Sequence, residues 1–316
     1  MSSVTRPEFV KAERRLHRWR VAVFGRDAFW GYVLVSPAVL YILALVAYPF
    51  LLSIYFSLSN STVAGGDTGF VGFANYVALV RDPSFRQALF NSLSFTFFSE
   101  IGKGVLGIGL AFLLLTAVRG KKVIRVFLMI PFTMPLALAL QGWYWLFNPQ
   151  LSVINRVFGD MLHLLQQPYP VWLGDPFYSY LAILMVNIWR GFPFAAIIVL
   201  AGLTSIPPDI LDAARVDGAG FFRRWHYVIT PMIAPILFIG LIYDVTFTLG
   251  DITIVNLLTQ GGPNGATQIL PMLSYQTGIE GGNLSRGAAT ALILFPILFV
   301  GMIVFLRMLH RREEVT

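Results

Sequence analysis

The side chains best suited to chemistry in this chain are ionisable ones that stand inside long apolar stretches. Asp244 and Asp251 are seven positions apart, and Thr248 stands between them. On a continuous helix this spacing places all three residues on one face. A charged side chain at the centre of a bilayer costs roughly 2.5 to 3.5 kcal/mol on insertion scales, so such residues usually line a cavity or have a partner. The pattern predicts an acceptor-rich stripe that faces a polar cavity and can bind the hydroxyl groups of a solute.

Three further ionisable residues stand inside apolar stretches. Glu100 and Lys103 are three positions apart, which brings them together on one helical face, and mutual pairing is the favoured interpretation. Arg190, close to Asn187, has two interpretations that the sequence leaves equal. It either pairs with an acid of the stretch that carries Asp244 or contacts a solute directly.

The sequence excludes several kinds of catalytic site. Cysteine is absent, and the four histidines are scattered without the close spacing of a zinc hydrolase. Gly102, Gly104 and Gly107 form a G-x-G-x-x-G pattern, but it lies in an apolar helix and follows no strand, so we interpret it as helix packing instead of dinucleotide binding. A phosphate-binding G-x-x-x-x-G-K-[ST] loop does not occur. We therefore predict that the chain is not an enzyme and itself binds no metal and no cofactor.

The elements that must position these residues are membrane-spanning helices. Of the 316 residues, 56% are hydrophobic and only 12% are charged, about half the charged fraction of a soluble protein. Apolar runs long enough to cross about 30 Å of hydrocarbon recur along the chain, without the alternation of barrel strands. The sequence predicts an all-α polytopic membrane protein with six transmembrane helices, at residues 29–58, 92–118, 123–147, 177–204, 228–258 and 288–308.

The distribution of Lys and Arg predicts that the N- and C-termini are both cytoplasmic. Seven basic residues stand in the first 26 positions, and others cluster after the second span, after the fourth span and in the tail. The expected organisation is a cytoplasmic N-terminal arm (1–28), a transmembrane domain (29–308) and a cytoplasmic tail (309–316). The net charge of +7 then reflects a basic face beside anionic membrane lipid, and it implies no nucleic acid partner.

The cytoplasmic loop at residues 205–231 predicts a short amphipathic helix. Pro207 and Pro208 end the preceding helix and can begin a new one, and Gly218 permits a left-handed turn at its end. Ile210, Leu211, Ala214 and Val216 supply an apolar face. The polar face holds three acids against a single Arg215, and acids are unfavourable beside an anionic leaflet. Docking into a protein groove is therefore favoured over a helix that lies in the lipid interface.

The same loop resembles a family signature. The run Asp-Ala-Ala-x-x-Asp-Gly-Ala at 212–219, followed by Ile229 and Pro231, is similar to the E-A-A-x-x-x-G-x9-I-x-L-P signature of permease subunits of binding-protein-dependent ABC importers. Asp212 stands where Glu is usual, and Thr230 stands where Leu is usual. The stretches 70–76, 189–194, 200–203 and 258–263 narrow the resemblance to the carbohydrate-type subfamily and its maltose-permease-F-like subunit.

The resemblance implies a fold, a location and a set of partners. The fold is the type I permease fold of ABC importers, in the bacterial inner (plasma) membrane. The partners are a second related permease subunit, two ATP-binding subunits or domains that hold ATP and Mg²⁺, and an extracytoplasmic solute-binding protein. The residues implied in the coupling helix, which docks on the ATPase, are Asp209, Asp212, Ala213, Ala214, Asp217 and Gly218.

The resemblance also implies a solute path. With residues 258–263 as the anchor of the alignment, the lining positions are Asp244, Phe247, Thr248 and Asp251, to which Arg190 and Asn187 are added as candidates. The expected function is to pass a sugar, oligosaccharide or polyol from an external binding protein to the cytoplasm by alternating access. Because the stripe carries no Lys or Arg, a neutral solute is predicted over a phosphorylated or otherwise anionic one. The alternative is a stand-alone channel or secondary carrier for a polar solute.

A group of aromatic residues near the end of the third span has two open interpretations. Trp143, Tyr144 and Trp145, with Gln141, could add a stacking surface for sugar rings. They could equally form an aromatic belt at the outer membrane interface.

Overall fold

The structure, a computed structural model, describes residues 26–65, 69–115, 120–150 and 152–313. The described chain is almost entirely helical, as the sequence predicts, and its strand pairing is limited to one bridge between Ser59 and Phe70. The helices are α1 Arg26–Ile42, α2 Tyr48–Ser57, α3 Ala74–Arg81, α4 Pro83–Leu115, α5 Lys121–Thr133, α6 Leu136–Leu146, α7 Pro176–Ser205, α8 Pro208–Val216, α9 Phe221–Arg224, α10 Thr230–Gly250, α11 Thr253–Leu258, α12 Leu270–Tyr275, α13 Leu284–Leu292 and α14 Leu294–Glu313. Wider, π-type turns occur at Leu43–Ala47, Arg156–Met161, Trp225–Ile229 and Gln276–Glu280, and a single α-turn at Val153–Asn155.

The first apolar span is one nearly continuous helix, and most of it belongs to a separate unit that ends at Tyr55. A π-type turn joins α1 to α2, and the span Phe29–Ser57 has 29 residues. At about 1.5 Å per residue it exceeds the thickness of the hydrocarbon core. This confirms the span predicted at residues 29–58. The predicted N-terminal arm falls, up to residue 25, outside the described residues.

The second unit is built around α4 and α7, which pack closely because small residues lie between them. A Cβ at Gly107 would stand 2.7 Å from the Cβ of Ala195 and 3.0 Å from the backbone nitrogen of Ala196. A Cβ at Gly102 would overlap Ile188, whereas one at Gly104 would meet nothing within 4 Å. The packing interpretation of the G-x-G-x-x-G pattern is confirmed for its first and third glycines and is wrong for its second.

Helix α10 completes this unit by packing against α7, again through glycines. A Cβ at Gly202 of α7 would stand 2.9 Å from the Cβ of Ile233, and one at Gly240 of α10 would stand 2.8 Å from Cγ2 of Ile198. Close approach of helix backbones through small residues is typical of helices that associate in a membrane. Three helices, α4, α7 and α10, therefore form one tightly packed group.

The third predicted span is not one straight helix. The helical stretch at residues 126–133 and α6 are bent by 100° at the break between Thr133 and Leu136. Pro135 disfavours helical geometry at Met134, whose ψ of 141° is extended. The described residues contain five helices long and apolar enough to cross a membrane, and six if this bent pair counts as one span.

The fifth and sixth spans also differ from their predicted bounds. Helix α10 ends at Gly250 and α11 begins at Thr253, so Asp251 lies in a break and not on a continuous helical face. The expectation that Asp244 and Asp251 share one helix face is therefore wrong. Helix α14 continues to Glu313, so residues 309–313 of the predicted tail are helical.

Candidate functional site

A cavity of about 250 Å³ with several charged and polar residues in its lining lies among α4, α5, α7, α10 and α11. It is lined by residues from all five helices and from the break that follows α10. The lining residues are Phe95, Lys103, Phe132, Asn187, Arg190, Gly191, Phe194, Tyr243, Asp244, Phe247, Thr248, Asp251, Ile254 and Val255. All six residues that the sequence predicted for a solute path are among them.

One part of the polar wall is an ion pair between α7 and the break after α10. Arg190 Nη1 lies 2.5 Å from Asp251 Oδ2, and both side chains are only partly buried. The other carboxylate oxygen of Asp251 accepts a hydrogen bond of 2.8 Å from the backbone N–H of Thr253. Of the two interpretations left open for Arg190, the structure shows the ion pair with an acid. Asp251 makes this pair from the break between α10 and α11.

The other part of the polar wall is a buried cluster around Lys103. Its side chain is only 2% exposed. The ammonium lies 3.1 Å from Glu100 Oε1 and 3.0 Å from Asp244 Oδ1, and it donates to Thr248 Oγ1 at 2.8 Å. Thr248 in turn donates to Glu100 at 3.0 Å. The predicted pairing of Glu100 with Lys103 is confirmed, and α10 supplies two further partners.

The stem of Lys103 occupies space that a glycine of α7 leaves open. A Cβ at Gly191 would stand 2.6 Å from Cε of Lys103. Nearby, Asn187 donates to Ser99 Oγ at 3.0 Å and is buried. The stripe itself carries no Lys or Arg, but in the folded chain α4 and α7 bring Lys103 and Arg190 to it.

Another part of the cavity lining is aromatic. Phe132 and Phe194 stack with ring centroids 5.7 Å apart. The ring of Phe194 lies 5.2 Å from that of Tyr243, which lies 5.0 Å from that of Phe247. We call these four residues the aromatic arc. They come from α5, α7 and α10, and the sequence identified only Phe247 among them. The Phe-Pro-Phe run at 192–194 belongs to a stretch that supports the family resemblance, but its pattern alone predicts no site.

The aromatic residues near the end of the third predicted span do not belong to the aromatic arc. Trp143 packs on Phe147 and Trp189, with ring centroids 5.4 and 5.5 Å apart. Tyr144 and Trp145 are exposed. None of them lines the cavity described above, so the stacking interpretation is wrong for this cavity.

The predicted amphipathic helix is present as α8. It begins at the Pro207-Pro208 pair and ends in a turn in which Gly218 has φ +74°. Ala214 is buried and Leu211 half-buried, and Leu211 packs on an apolar cluster formed by α4, α7 and α10. Val216, assigned to the apolar face, is instead 88% exposed.

The outward face of α8 is acidic at its start and open along its length. Asp209, Asp212, Ala213 and Asp217 are all exposed. Asp212 pairs with Arg215 at 2.5 Å on the same face. The helix is thus anchored to its own chain by one narrow apolar edge and leaves most of its surface available.

Metal binding has no support in the described part of the chain. No group of three or more His, Cys, Asp or Glu side chains converges there as a metal ion would require. The acids of the cavity are instead satisfied by Lys103, Arg190 and backbone or hydroxyl donors.

Comparisons with known proteins show which family and which fold this chain resembles. Residues 103–314 match the family described as binding-protein-dependent transport system inner membrane component. The chain is 30% identical to the sulfoquinovosyl glycerol transport system permease protein SmoG of Agrobacterium fabrum, over 95% of this chain and 97% of the relative. It is 29% identical to the trehalose/maltose transport system permease protein MalF of Thermococcus litoralis, over 92% and 96%. The fold is similar to that of a bacterial alginate ABC transporter solved with its pentasaccharide-bound periplasmic protein (TM-score 0.78, 18% identity, 92% of this chain and 98% of that one).

Proposed function

The chain belongs to the family of binding-protein-dependent transport system inner membrane components, and from this we propose that its cavity is the transmembrane sugar site of an ATP-driven importer. The chain is a multi-pass inner-membrane permease subunit and not an enzyme. It works with a second permease subunit, with ATPase subunits and with an external binding protein. We propose that ATP and Mg²⁺ are bound on the ATPase partners. Family membership also decides against a stand-alone channel or carrier.

The observation that carries the assignment of the site is that two chemically different sets of side chains line one cavity. The aromatic arc presents ring faces, on which the apolar face of a sugar can pack. The same lining contains carboxylates, a guanidinium and an amide, all of which form hydrogen bonds with hydroxyl groups. Hydrogen bonds to charged groups contribute about 1.5 to 3 kcal/mol each. A sugar ring, which has an apolar face and a rim of hydroxyl groups, can contact the aromatic arc and the polar side chains at the same time.

We further propose that α8 is the element that docks on the ATPase. The support is its exposed acidic face together with its narrow attachment to α4, α7 and α10 through Leu211. The residues that we propose for contact with the ATPase are those expected from the family signature, between Asp209 and Gly218. A helix attached to three of the helices that enclose the cavity can transmit a movement of the ATPase to the solute site.

The proposed arrangement in the membrane follows from the basic residues. The loop at 205–231, which contains α8, is placed in the cytoplasm with both termini. The start of α4 and the loop at 259–269 then lie outside. Asn91 of α4 donates to the carbonyls of Gly265, Ala266 and Gln268 at 2.9 to 3.1 Å and holds that loop in place.

The test of the sugar assignment uses the complete transporter. Uptake into proteoliposomes that contain both permeases and the ATPase, driven by ATP and the cognate binding protein, is measured for trehalose, maltose, sorbitol and a set of amino acids. We expect uptake of a sugar or polyol and none of amino acids. Uptake of amino acids alone would overturn the sugar assignment.

The test of the cavity as the site uses the aromatic arc. Phe247→Ala or Tyr243→Ala should weaken binding of the transported sugar to the purified complex by about tenfold each, equivalent to about 1.4 kcal/mol. Phe90→Ala is the matched control, because Phe90 is an exposed aromatic residue of α4 that does not line the cavity. Equal affinities in all three variants would show that the sugar binds elsewhere.

A further inference from the structure

The two cations of the cavity differ in how many of their donors are already used. A lysine ammonium has three N–H donors, and that of Lys103 has three partners: Glu100, Asp244 and Thr248. It therefore has no donor left for a solute. Its side chain is 2% exposed, so it cannot turn toward the cavity without leaving two acids unpaired.

Arg190 is in the opposite situation. Its guanidinium has five N–H donors, and among the described residues it makes one hydrogen bond, from Nη1 to Asp251. Its side chain is 30% exposed and lines the cavity. Arg190 is therefore the cation that an acidic group of a solute could reach, and the carboxylate of Asp251 already neutralises its charge.

The charges around the cavity also disfavour the binding of an anionic solute. Lys103 and Arg190 are balanced there by Asp244 and Asp251, and Glu100 adds a further acid behind Lys103. A solute carboxylate, sulfonate or phosphate that bound the remaining donors of Arg190 would lie beside the carboxylate of Asp251. Two negative charges would then share one guanidinium in a site within the membrane, which is unfavourable.

We propose that Asp251 is a specificity-determining residue: it neutralises the charge of Arg190 and thereby restricts the cavity to neutral sugars. This inference rests on the proposed function, since it concerns which sugars the same site accepts. Removal of the Asp251 charge frees a guanidinium that is suited to two-point binding of a carboxylate or phosphate. The site should then accept an acidic sugar that the unmodified protein rejects.

The structure offers a nearly isosteric variant for the test. Asp251→Asn removes the charge but keeps an oxygen that can accept the hydrogen bond from Thr253 N–H, so the start of α11 retains its cap. Asp251→Ser, whose hydroxyl can accept the same bond, serves if the Asn variant does not assemble.

A matched control exists outside the cavity. Asp82 also pairs with an arginine, Arg286, and its other oxygen accepts a hydrogen bond of 2.8 Å from Ser84 N–H. Asp82→Asn therefore removes an equivalent ion pair, with an equivalent backbone cap, at a position that does not line the cavity.

The probes are methyl α-glucoside and methyl α-glucuronide, which differ by one carboxylate, and their dissociation constants are measured by saturation-transfer NMR on the purified transporter without binding protein. We expect the unmodified protein to favour the glucoside. Asp251→Asn should shift the ratio of the two dissociation constants toward the glucuronide by at least about tenfold. Asp82→Asn should leave the ratio unchanged, and the double variant Arg190→Gln/Asp251→Asn should lose the shift.

Each contrary result has a distinct meaning. If the unmodified protein binds the glucuronide as tightly as the glucoside, or if Asp251→Asn and Asp251→Ser leave the ratio unchanged, the role of Asp251 is overturned while the sugar site stands. If neither probe binds, or if Phe247→Ala does not weaken binding of the glucoside, the sugar site itself is overturned, and the inference falls with it.

Discussion

Lys103 on α4 and Asp244 on α10 form an ion pair of 3.0 Å although 141 positions separate them in the chain. Glu100 and Thr248 complete the cluster, so the pair joins two of the helices that enclose the cavity. The cluster contains one cation and two acids. Its stability therefore depends on Lys103 more than on either acid.

We expect Lys103→Met to destabilise the protein by about 3 to 5 kcal/mol, because it leaves Glu100 and Asp244 without a cation. The measurement is the SDS concentration at which the purified transporter unfolds, followed by circular dichroism. The triple variant Lys103→Met/Glu100→Gln/Asp244→Asn should recover much of the loss, since no unpaired charge remains. A triple variant as unstable as the single one would mean that packing of the lysine stem, and not charge, is responsible.

Close packing of α4 on α7 gives a second prediction. Gly107→Ala should cost about 1 to 3 kcal/mol, because its Cβ would stand 3.0 Å from a backbone nitrogen that cannot move aside. Gly104→Ala is the control, since nothing lies within 4 Å of its added Cβ. That control should be neutral or stabilising by up to about 1 kcal/mol. The same unfolding measurement compares the two, and equal stability would contradict the packing interpretation.

The turn after α8 gives a third prediction. Gly218 has φ +74°, which a β-branched residue adopts only at a cost of about 1 to 3 kcal/mol. Gly218→Val should therefore distort the end of α8 and lower ATP-driven uptake by about tenfold, while membrane insertion stays normal. Gly220→Val is the control, because Gly220 has φ −65° and open space around it. Wild-type uptake and ATPase assembly in Gly218→Val would remove the docking role from α8.

Accessibility of the cavity to water gives a fourth prediction. Because the chain has no cysteine, single cysteine variants need no background substitutions. Phe247→Cys lies on the cavity and should react with a membrane-impermeant thiol reagent, and the transported sugar should slow the reaction. Ile239→Cys, on an exposed part of α10 that lines no described cavity, should not react. Reaction of Ile239→Cys alone would place the water-filled path on another face of α10.

Much of the architecture could be predicted from the sequence because the membrane acts on short segments one at a time. An apolar run of about 20 residues favours a membrane-spanning helix wherever it stands in the chain. The spans at residues 29–58 and 177–204 accordingly agree closely with Phe29–Ser57 and Pro176–Ser205. The bounds of α8 were also predictable, because prolines at its start and Gly218 at its end act through local backbone geometry.

The polar residues of the cavity were predictable for the same reason, but their partners were not. The insertion cost of Asp244, Asp251 and Arg190 can be read from each residue and its neighbours. The contact between Lys103 and Asp244 depends on how α4 packs against α10. The contact between Arg190 and Asp251 joins α7 to the break between α10 and α11, and the apolar pattern does not reveal that break.

The sequence by itself determined the class of protein, the number of apolar segments and the residues too costly to face lipid. Only the tertiary structure decided the 100° bend before α6, the assembly of the aromatic arc from three helices and the pairing of each acid with its cation. The physical reason is the range of the interactions. Transfer to the membrane and helix termination depend on residues near in sequence, whereas cavities and ion pairs depend on close packing between helices that are distant in sequence.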